Sequence, residues 1–303
     1  VSDAEPLTAC APDAPADLVV QAPDLAPEAI EAFRQRFAGA ALRRQSASVR
    51  LAGVGPPSAV AAPAAEMAAR WHCDANLVPP HWTLADFRLL ALDMDSTLVR
   101  IESLDELAAL AGRGPEVAAI TEAAMRGQVA DYSDSLRRRV ALLAGTDAAL
   151  LQTVAQQRLR LSPGAERLIG AARRAGLRTL LVTGGFGYFA RILQRQLGID
   201  EVCANEVQVS HGWLTGVVHG PAANPERLID AQSKAAALQR ACTAIGSTPR
   251  QAIALGDGAN DLPMLTLAGV GVAYQAKPKV QEGTRYRLNY CGLDGVLEWF
   301  SGP

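Results

Sequence analysis

A chain of 303 residues, 49% hydrophobic and 20% charged, has enough apolar material for one large core and a smaller unit beside it. A formal net charge of −2 leaves no electrostatic footprint for nucleic acid. No apolar run is long enough to span a bilayer, which excludes a membrane pump. The start, Val1-Ser2-Asp3-Ala4-Glu5-Pro6, has neither a basic nor an apolar leader segment, so no secretory signal is expected. The five cysteines, Cys10, Cys73, Cys203, Cys242 and Cys291, form no C-x-x-C pair. Reduced thiols in a cytoplasmic protein are therefore expected, not a disulfide framework or a zinc site.

Residues 1–80 are rich in Ala and Pro, as in Ala11-Pro12-Asp13-Ala14-Pro15 and Gly55-Pro56-Pro57. Within them, residues 17–21 predict a strand, and residues 27–37 a helix with Ile30, Phe33 and Phe37 on one side. Residues 46–52 alternate as a second strand, with Ala47, Val49 and Leu51 on one face. Residues 63–71 predict a second helix with Pro63 in its first turn. Strand, helix, strand, helix is too little for a large core. Residues 1–80 are expected to be a small accessory domain, with Val78-Pro79-Pro80-His81 as the linker to a main domain over 81–303.

The main domain opens with an apolar run, residues 87–92, that reads as a buried strand ending in Asp93-Met94-Asp95. Alternation along a strand lets Asp93 and Asp95 face the same way if extension continues. Two like charges at the end of a buried strand need compensation, which a divalent cation or work on a phosphate supplies. The segment is thus a candidate for metal-assisted phosphoryl transfer through a carboxylate nucleophile. The next convincing strand comes only at residues 178–182. Helices over 104–111, 115–126, 133–143 and 147–158 fill the gap as an inserted unit at about 103–160, and 165–175, ended by Gly176, returns the chain to the sheet. A helix over 186–197, strands over 206–209 and 213–217 flanking the turn Ser210-His211-Gly212, a helix over 233–244 and strands over 251–255 and 269–273 complete the pattern. The tryptophans Trp71, Trp82, Trp213 and Trp299 read as packing. Alternating strands and helices imply a parallel sheet covered on both faces, with ligands at the carboxyl ends of strands.

Three strand ends carry polar chemistry. The first offers Asp93 and Asp95, the second Thr183-Gly184-Gly185 before a helix, and the third Gly256-Asp257-Gly258-Ala259-Asn260-Asp261. A small hydroxyl and glycine N–H groups at a helix N-terminus suit a phosphate. Lys234 starts a helix between the second and third. Singly, each signal is weak, and read alone Glu102 is a solvated helix-start residue and Arg139 one of a solvated run, Arg137-Arg138-Arg139.

Together and in this order, these residues resemble the haloacid dehalogenase-like phosphatases. A closer resemblance, to the phosphoserine phosphatases of that family, rests on Asp95-Ser96-Thr97-Leu98, Glu102, Asp105-Glu106, Met125-Arg126-Gly127, Ser135-Leu136-Arg137-Arg138-Arg139-Val140 and Ala276-Lys277-Pro278-Lys279-Val280. It covers about residues 87–300. Residues 1–80 are similar, more loosely, to the ACT-like domain that precedes some bacterial members.

The resemblance implies an α/β fold: a doubly wound parallel (Rossmann-like) sheet with an inserted helical cap and a small N-terminal α+β (ACT-like) domain. It implies Mg2+-dependent hydrolysis of phosphoserine through an aspartyl-phosphate, the last step of serine biosynthesis. Asp93 is then the nucleophile and Asp95 the general acid and base. Mg2+ is held by Asp93, the backbone carbonyl of Asp95, and Asp257. Thr183, Gly184 and Lys234 hold phosphate oxygens, while Asn260 and Asp261 bind near the metal or orient Lys234. Glu102 takes the substrate ammonium and Arg139 its carboxylate, which the guanidinium fork suits. Met125 and Tyr132 line an apolar wall. Phe is usual where Tyr132 stands, Ala130-Asp131-Tyr132-Ser133 holds one extra residue, and Ser is common where Thr183 stands. A small-molecule substrate, no nucleic-acid or membrane partner, and a homodimer through the N-terminal domain complete the expectations. The rival readings are another small-molecule phosphatase on the same scaffold and an amino-acid-sensing module.

Overall fold

The computed structural model describes residues 16–38, 40–44, 48–125 and 131–301. Cys10 and the Arg126-Gly127 pair lie outside them, as does the side chain of Met125. The N-terminal part runs β1 (Ala16–Gln21), α1 (Pro27–Arg36), β2 (Ala41–Arg44), β3 (Ser48–Gly55), α2 (Pro57–Trp71) and β4 (Asp74–Val78). The strands form an antiparallel sheet in the order β2-β3-β1-β4, a split β-α-β arrangement. Alternation divides β1 between two cores. Leu18 and Val20 pack with Phe33, Leu51 and Val60 under the helices, whereas Val19, on the opposite face, joins the core of the main domain.

Three local expectations change here. Strands β2 and β4 were not foreseen, and α2 begins at Pro57, leaving Pro63 inside the helix rather than in its first turn. The expected linker starts within β4. Directly after it, Trp82 is buried against Phe87, Tyr286 and Phe300, so the junction is packed on both sides.

The main sheet has seven strands in the order β11-β10-β9-β5-β6-β7-β8. They are β5 (Leu89–Leu92), β6 (Arg178–Phe186), β7 (Glu201–Ser210), β8 (Trp213–His219), β9 (Ala252–Gly256), β10 (Val270–Tyr274) and β11 (Tyr286–Leu288). All pairings are parallel except that of β7 with β8. Central β5 shows why the run is apolar throughout: Leu90 and Leu92 face one core, Leu89 and Ala91 the other. Helices α7 (Ala165–Arg174) and α8 (Gly187–Leu197) cover the first face. Helices α9 (Ala231–Ala244), α10 (Leu262–Leu267) and α11 (Pro278–Glu282) supply the second. The 269–273 strand was expected to be the last, but three-residue β11 adds an edge beyond it. The hairpin turn His211-Gly212 has φ of 50° and 85°, the positive pair that a two-residue β-turn requires. Trp213 beside it is 54% exposed and does not serve as packing.

Between β5 and α7 the chain forms α3 (Ser103–Leu110), α4 (Gly114–Met125), α5 (Tyr132–Ala141) and α6 (Ala149–Gln157). The outgoing and returning segments run side by side. Arg100 N–H donates to Arg160 O at 3.0 Å and Ser162 N–H to Leu98 O at 2.9 Å. The helical unit therefore sits over the carboxyl end of β5.

Candidate active site

Strand β5 delivers Asp93 to the carboxyl edge of the sheet, where its N–H is held by Leu255 O of neighbouring β9 at 3.0 Å. The paired strand ends at Leu92, and the chain turns sharply after Asp95. Leu98 N–H turns back to Asp93 O and Val99 N–H to Met94 O, and Ser96 adopts φ of 54°. Asp93 and Asp95 both keep extended backbone angles (φ −72°, ψ 161° and φ −67°, ψ 138°), and both line the cavity at the carboxyl end of the strand. A side chain on Gly185 would meet Asp95 Oδ2 at 2.5 Å, so the glycine is needed where β6 passes the carboxylate.

Lys234, on α9, is fully buried, and its Nζ lies 2.6 Å from Asp93 Oδ1 and 2.7 Å from Asp261 Oδ1. Asp261 also accepts Gly258 N–H at 3.0 Å, and Thr97 Oγ1 donates to Asp257 Oδ1 at 3.2 Å. One carboxylate oxygen each from Asp93, Asp257 and Asp261 lies within 4.8 Å of the others. Three convergent hard oxygen donors facing a single ammonium leave net negative charge. A divalent cation such as Mg2+ fits that donor set. Asp261, expected near the metal or on Lys234, contacts Lys234 and belongs to the same carboxylate cluster.

Electrostatics follow from burial and these contacts. Burial, reinforced by Asp261, pushes the Asp93 carboxyl well above the ordinary range against the pull of Lys234. Burial and then Glu102 raise Asp95 to about 7, although Ser103 donates to it through N–H at 3.0 Å and Oγ at 3.1 Å. Burial and then Asp261 raise Asp257 to about 6. For Lys234, burial acts downward, but Asp261 and Asp93 overcome it and hold the ammonium above its ordinary range.

These groups open into a cavity of about 650 Å³ lined also by Glu102, Tyr132, Arg139, Thr183, Gly184 and Asn260. Glu102 accepts the Ser96 hydroxyl at 2.6 Å, and Arg139 Nε donates to Ser135 O at 3.4 Å. Tyr132 stands at the first turn of α5 with its hydroxyl against Gly184. Of the expected site residues with described side chains, all line this cavity except Asp261, which lies buried behind Lys234. Met125 ends α4, and its side chain falls outside the described residues.

Thr183-Gly184-Gly185 does precede a helix, as expected, with one strand residue, Phe186, between them. Strand β6 continues through Phe186 with a register shift after Val182, and α8 starts only at Gly187. Thr183 Oγ1 accepts Gly185 N–H at 2.8 Å inside this bulge. Sequence reasoning missed Asn205. It is fully buried, donating Nδ2 to Gly184 O and accepting Ile229 N–H, both at 2.8 Å. It thereby ties the bulge to the segment leading into Lys234's helix. Asn205 is one of several polar residues in β7, beside Glu201, Glu206, Gln208 and Ser210, so the pattern of hydrophobicity did not single it out. Ser103, which holds Asp95, and Lys277, which lines the cavity, were also missed as site residues.

The family model described as haloacid dehalogenase-like hydrolase matches residues 90–266. A curated phosphoserine phosphatase from a Polaromonas species is 50% identical over 224 residues, 74% of this chain and 94% of that one. The crystal structure of a haloacid dehalogenase family hydrolase from Salmonella enterica superposes with a TM-score of 0.82 at 27% identity, covering 94% of this chain and 99% of the other. The unliganded crystal structure of a probable phosphoserine phosphatase from Vibrio cholerae superposes with a TM-score of 0.79 at 32% identity, covering 94% and 85%.

Proposed function

The chain belongs to the haloacid dehalogenase-like hydrolases, and on that premise we propose that it hydrolyses O-phosphoserine to serine and phosphate, the last step of serine biosynthesis. The observation that carries this reading is the single cavity in which Asp93, Asp95 and Lys234 meet Glu102 and Arg139. The first three suit a phosphomonoester, and the last two suit the ammonium and carboxylate of an amino acid.

In this reading Asp93 attacks phosphorus and forms an aspartyl-phosphate as the bond to the serine oxygen breaks. Asp95 gives its proton to that oxygen. It then takes a proton from the water that attacks the aspartyl-phosphate, so phosphate leaves and both carboxyls return to their starting states. An acid raised to about 7 by burial suits both halves of that cycle. Lys234, Gly184 and Thr183 hold the remaining phosphate oxygens. Asp93, the backbone carbonyl of Asp95, and Asp257 would hold Mg2+, with Asp261 beside them. When bound, the ion offsets repulsion between the anionic nucleophile and the anionic phosphate. Asn260 lines the same cavity. For residues 16–78 we infer an ACT-like accessory unit, which the β-α-β-β-α-β order supports.

The test is phosphate release from phosphoserine, phosphothreonine and phosphocholine, with Mg2+ and with excess chelator. Phosphoserine is expected to be turned over best, and only with the metal. Preference for phosphocholine would overturn the substrate, and full activity in chelator would overturn the metal.

A further inference from the structure

Tyr132 was expected to be part of an apolar wall, yet its polar end faces the reacting end of the cavity. The residue comes from the inserted helical unit, at the first turn of α5, and is half buried. Its hydroxyl occupies the space that a side chain at Gly184 would fill, so ring and hydroxyl lie directly on the strand end that carries Thr183 and Gly184. The charged groups whose fields reach it are Lys234, Arg139, Asp93 and Asp95, in that order of influence. No hydrogen-bond partner for the hydroxyl exists among the described residues, and the Gly184 carbonyl beneath it is already engaged by Asn205 at 2.8 Å. A phenol hydroxyl lining a cavity with no protein partner takes one when it is offered.

We propose that Tyr132 donates a hydrogen bond to a phosphoryl oxygen of the bound substrate, making it a phosphate-recognition residue supplied by the helical unit rather than by the sheet. This rests on the phosphomonoesterase reading of the site. The partner is fixed by position. Gly184 and Lys234 line the same cavity, the Tyr132 hydroxyl lies against Gly184, and Lys234 is the charged group that acts on it most, so an oxygen held between Gly184 and Lys234 is within its reach. Burial pushes the phenol up to about 12, so it stays protonated and able to donate throughout the working range. Its contact with phosphate exists only when the helical unit lies over the sheet. Closure and phosphate binding are therefore coupled through one oxygen atom.

Tyr132→Phe removes that atom and keeps the ring, so the protein is expected to fold with an unchanged Tm. Kinetics on phosphoserine and p-nitrophenyl phosphate, with titration of inorganic phosphate by calorimetry in Mg2+, read the result. A hydrogen bond to a charged oxygen is worth roughly tenfold or more. The variant should lose about that factor in kcat/KM on both substrates and bind inorganic phosphate correspondingly more weakly. Loss on phosphoserine alone would place the hydroxyl on the amino-acid end and overturn the proposal. Unchanged kinetics and phosphate affinity would return Tyr132 to an apolar wall and overturn it too. Phosphate titration reads the contact without turnover, so a wild-type protein inactive on phosphoserine would fail the substrate reading while still deciding this one.

Discussion

The Lys234 ammonium and the Asp93 carboxylate are ion-paired at 2.6 Å with both side chains shielded from water. Alone, such a pair contributes little net stability, because desolvation offsets attraction. Here it is one link in a chain, since Asp261 lies 2.7 Å from the same nitrogen and Asp257 stands beside both carboxylates. Lys234→Met should leave these carboxylates facing one another. Metal-free protein is expected to lose about 3–5 kcal/mol on denaturant unfolding. Removing a preorganised donor should also lower kcat/KM at least roughly a hundredfold, on phosphoserine and p-nitrophenyl phosphate alike. A variant as stable and as active as wild type would remove Lys234 from the centre of the site.

The same cluster sets a pH dependence. Burial favours the protonated forms of Asp257 and Asp95, whose values rise from 3.8 to about 6 and about 7. Each group's contribution to stability is fully present below 3.8 and is lost as pH rises through those higher values. In chelator, Tm is therefore expected to fall between pH 5 and pH 8. Added Mg2+ binds the ionised carboxylates, so it should raise Tm more at pH 8 than at pH 5. Scanning fluorimetry at both pH values, with and without the ion, measures this. Equal shifts would mean that these carboxyls do not titrate in the site.

Residues 16–78 are joined to the main domain through buried polar contacts rather than a free linker. Asp74 accepts the N–H groups of Asn289, Tyr290 and Cys291 at 2.6, 3.1 and 2.9 Å. Asn76 pairs with both backbone groups of Arg287, at 2.9 Å each, as a neighbouring strand would. Arg50 Nη2 donates to the carbonyls of Glu298 and Trp299. Asp74→Ala leaves buried donors unpaired and is expected to lower stability by at least about 1–3 kcal/mol with little change in kcat. A protein shortened to begin at residue 81 should lose more, because it also bares the edge of β11 and the surface under Val19. Chemical denaturation of the three proteins checks this, and a shortened protein as stable as the full chain would show these contacts to be incidental.

These contacts also explain what the sequence hid. Strand β5 was readable because Leu89 to Leu92 are apolar on both faces, and the polar residues closing β5, β6 and β9 stood out against such runs. Strand β4 was not, because Asp74 and Asn76 alternate with Ala75 and Leu77, and their side chains serve β11 and the residues just after it, more than 200 positions away. Asn205 was lost for the same reason: its partners, Gly184 and Ile229, lie 21 and 24 positions distant. Asp93 and Asp95 were found, but the tight turn directly after them was not, because a positive φ at Ser96 leaves no mark in a pattern of hydrophobicity. What periodicity encodes is burial. Side-chain bonds to remote backbone carry no period.

The two residues proposed to read the amino-acid end of the substrate give the last prediction. Glu102 and Arg139 line the cavity from outside the sheet, Glu102 just before α3 and Arg139 on α5. Arg139 is half buried, and among the described residues its one hydrogen bond is a 3.4 Å contact from Nε to Ser135 O on its own helix, so its guanidinium remains available to a substrate carboxylate. Glu102 is held by the Ser96 hydroxyl, which fixes its carboxylate at the edge of the same space. Arg139→Ala would leave the substrate carboxylate unpaired in an enclosed pocket. Breaking a fully buried pair costs about 3–5 kcal/mol, and partial solvent access reduces it here to about 2 kcal/mol, roughly thirtyfold in kcat/KM. Glu102→Gln should act in the same direction through the ammonium. p-Nitrophenyl phosphate has neither group, so its turnover should be much less affected by both variants. Steady-state kinetics of each variant on both substrates decide the matter. Equal losses on the two would mean that Glu102 and Arg139 hold the helical unit in place rather than read the amino acid, and the assignment of phosphoserine would lose its support in the site.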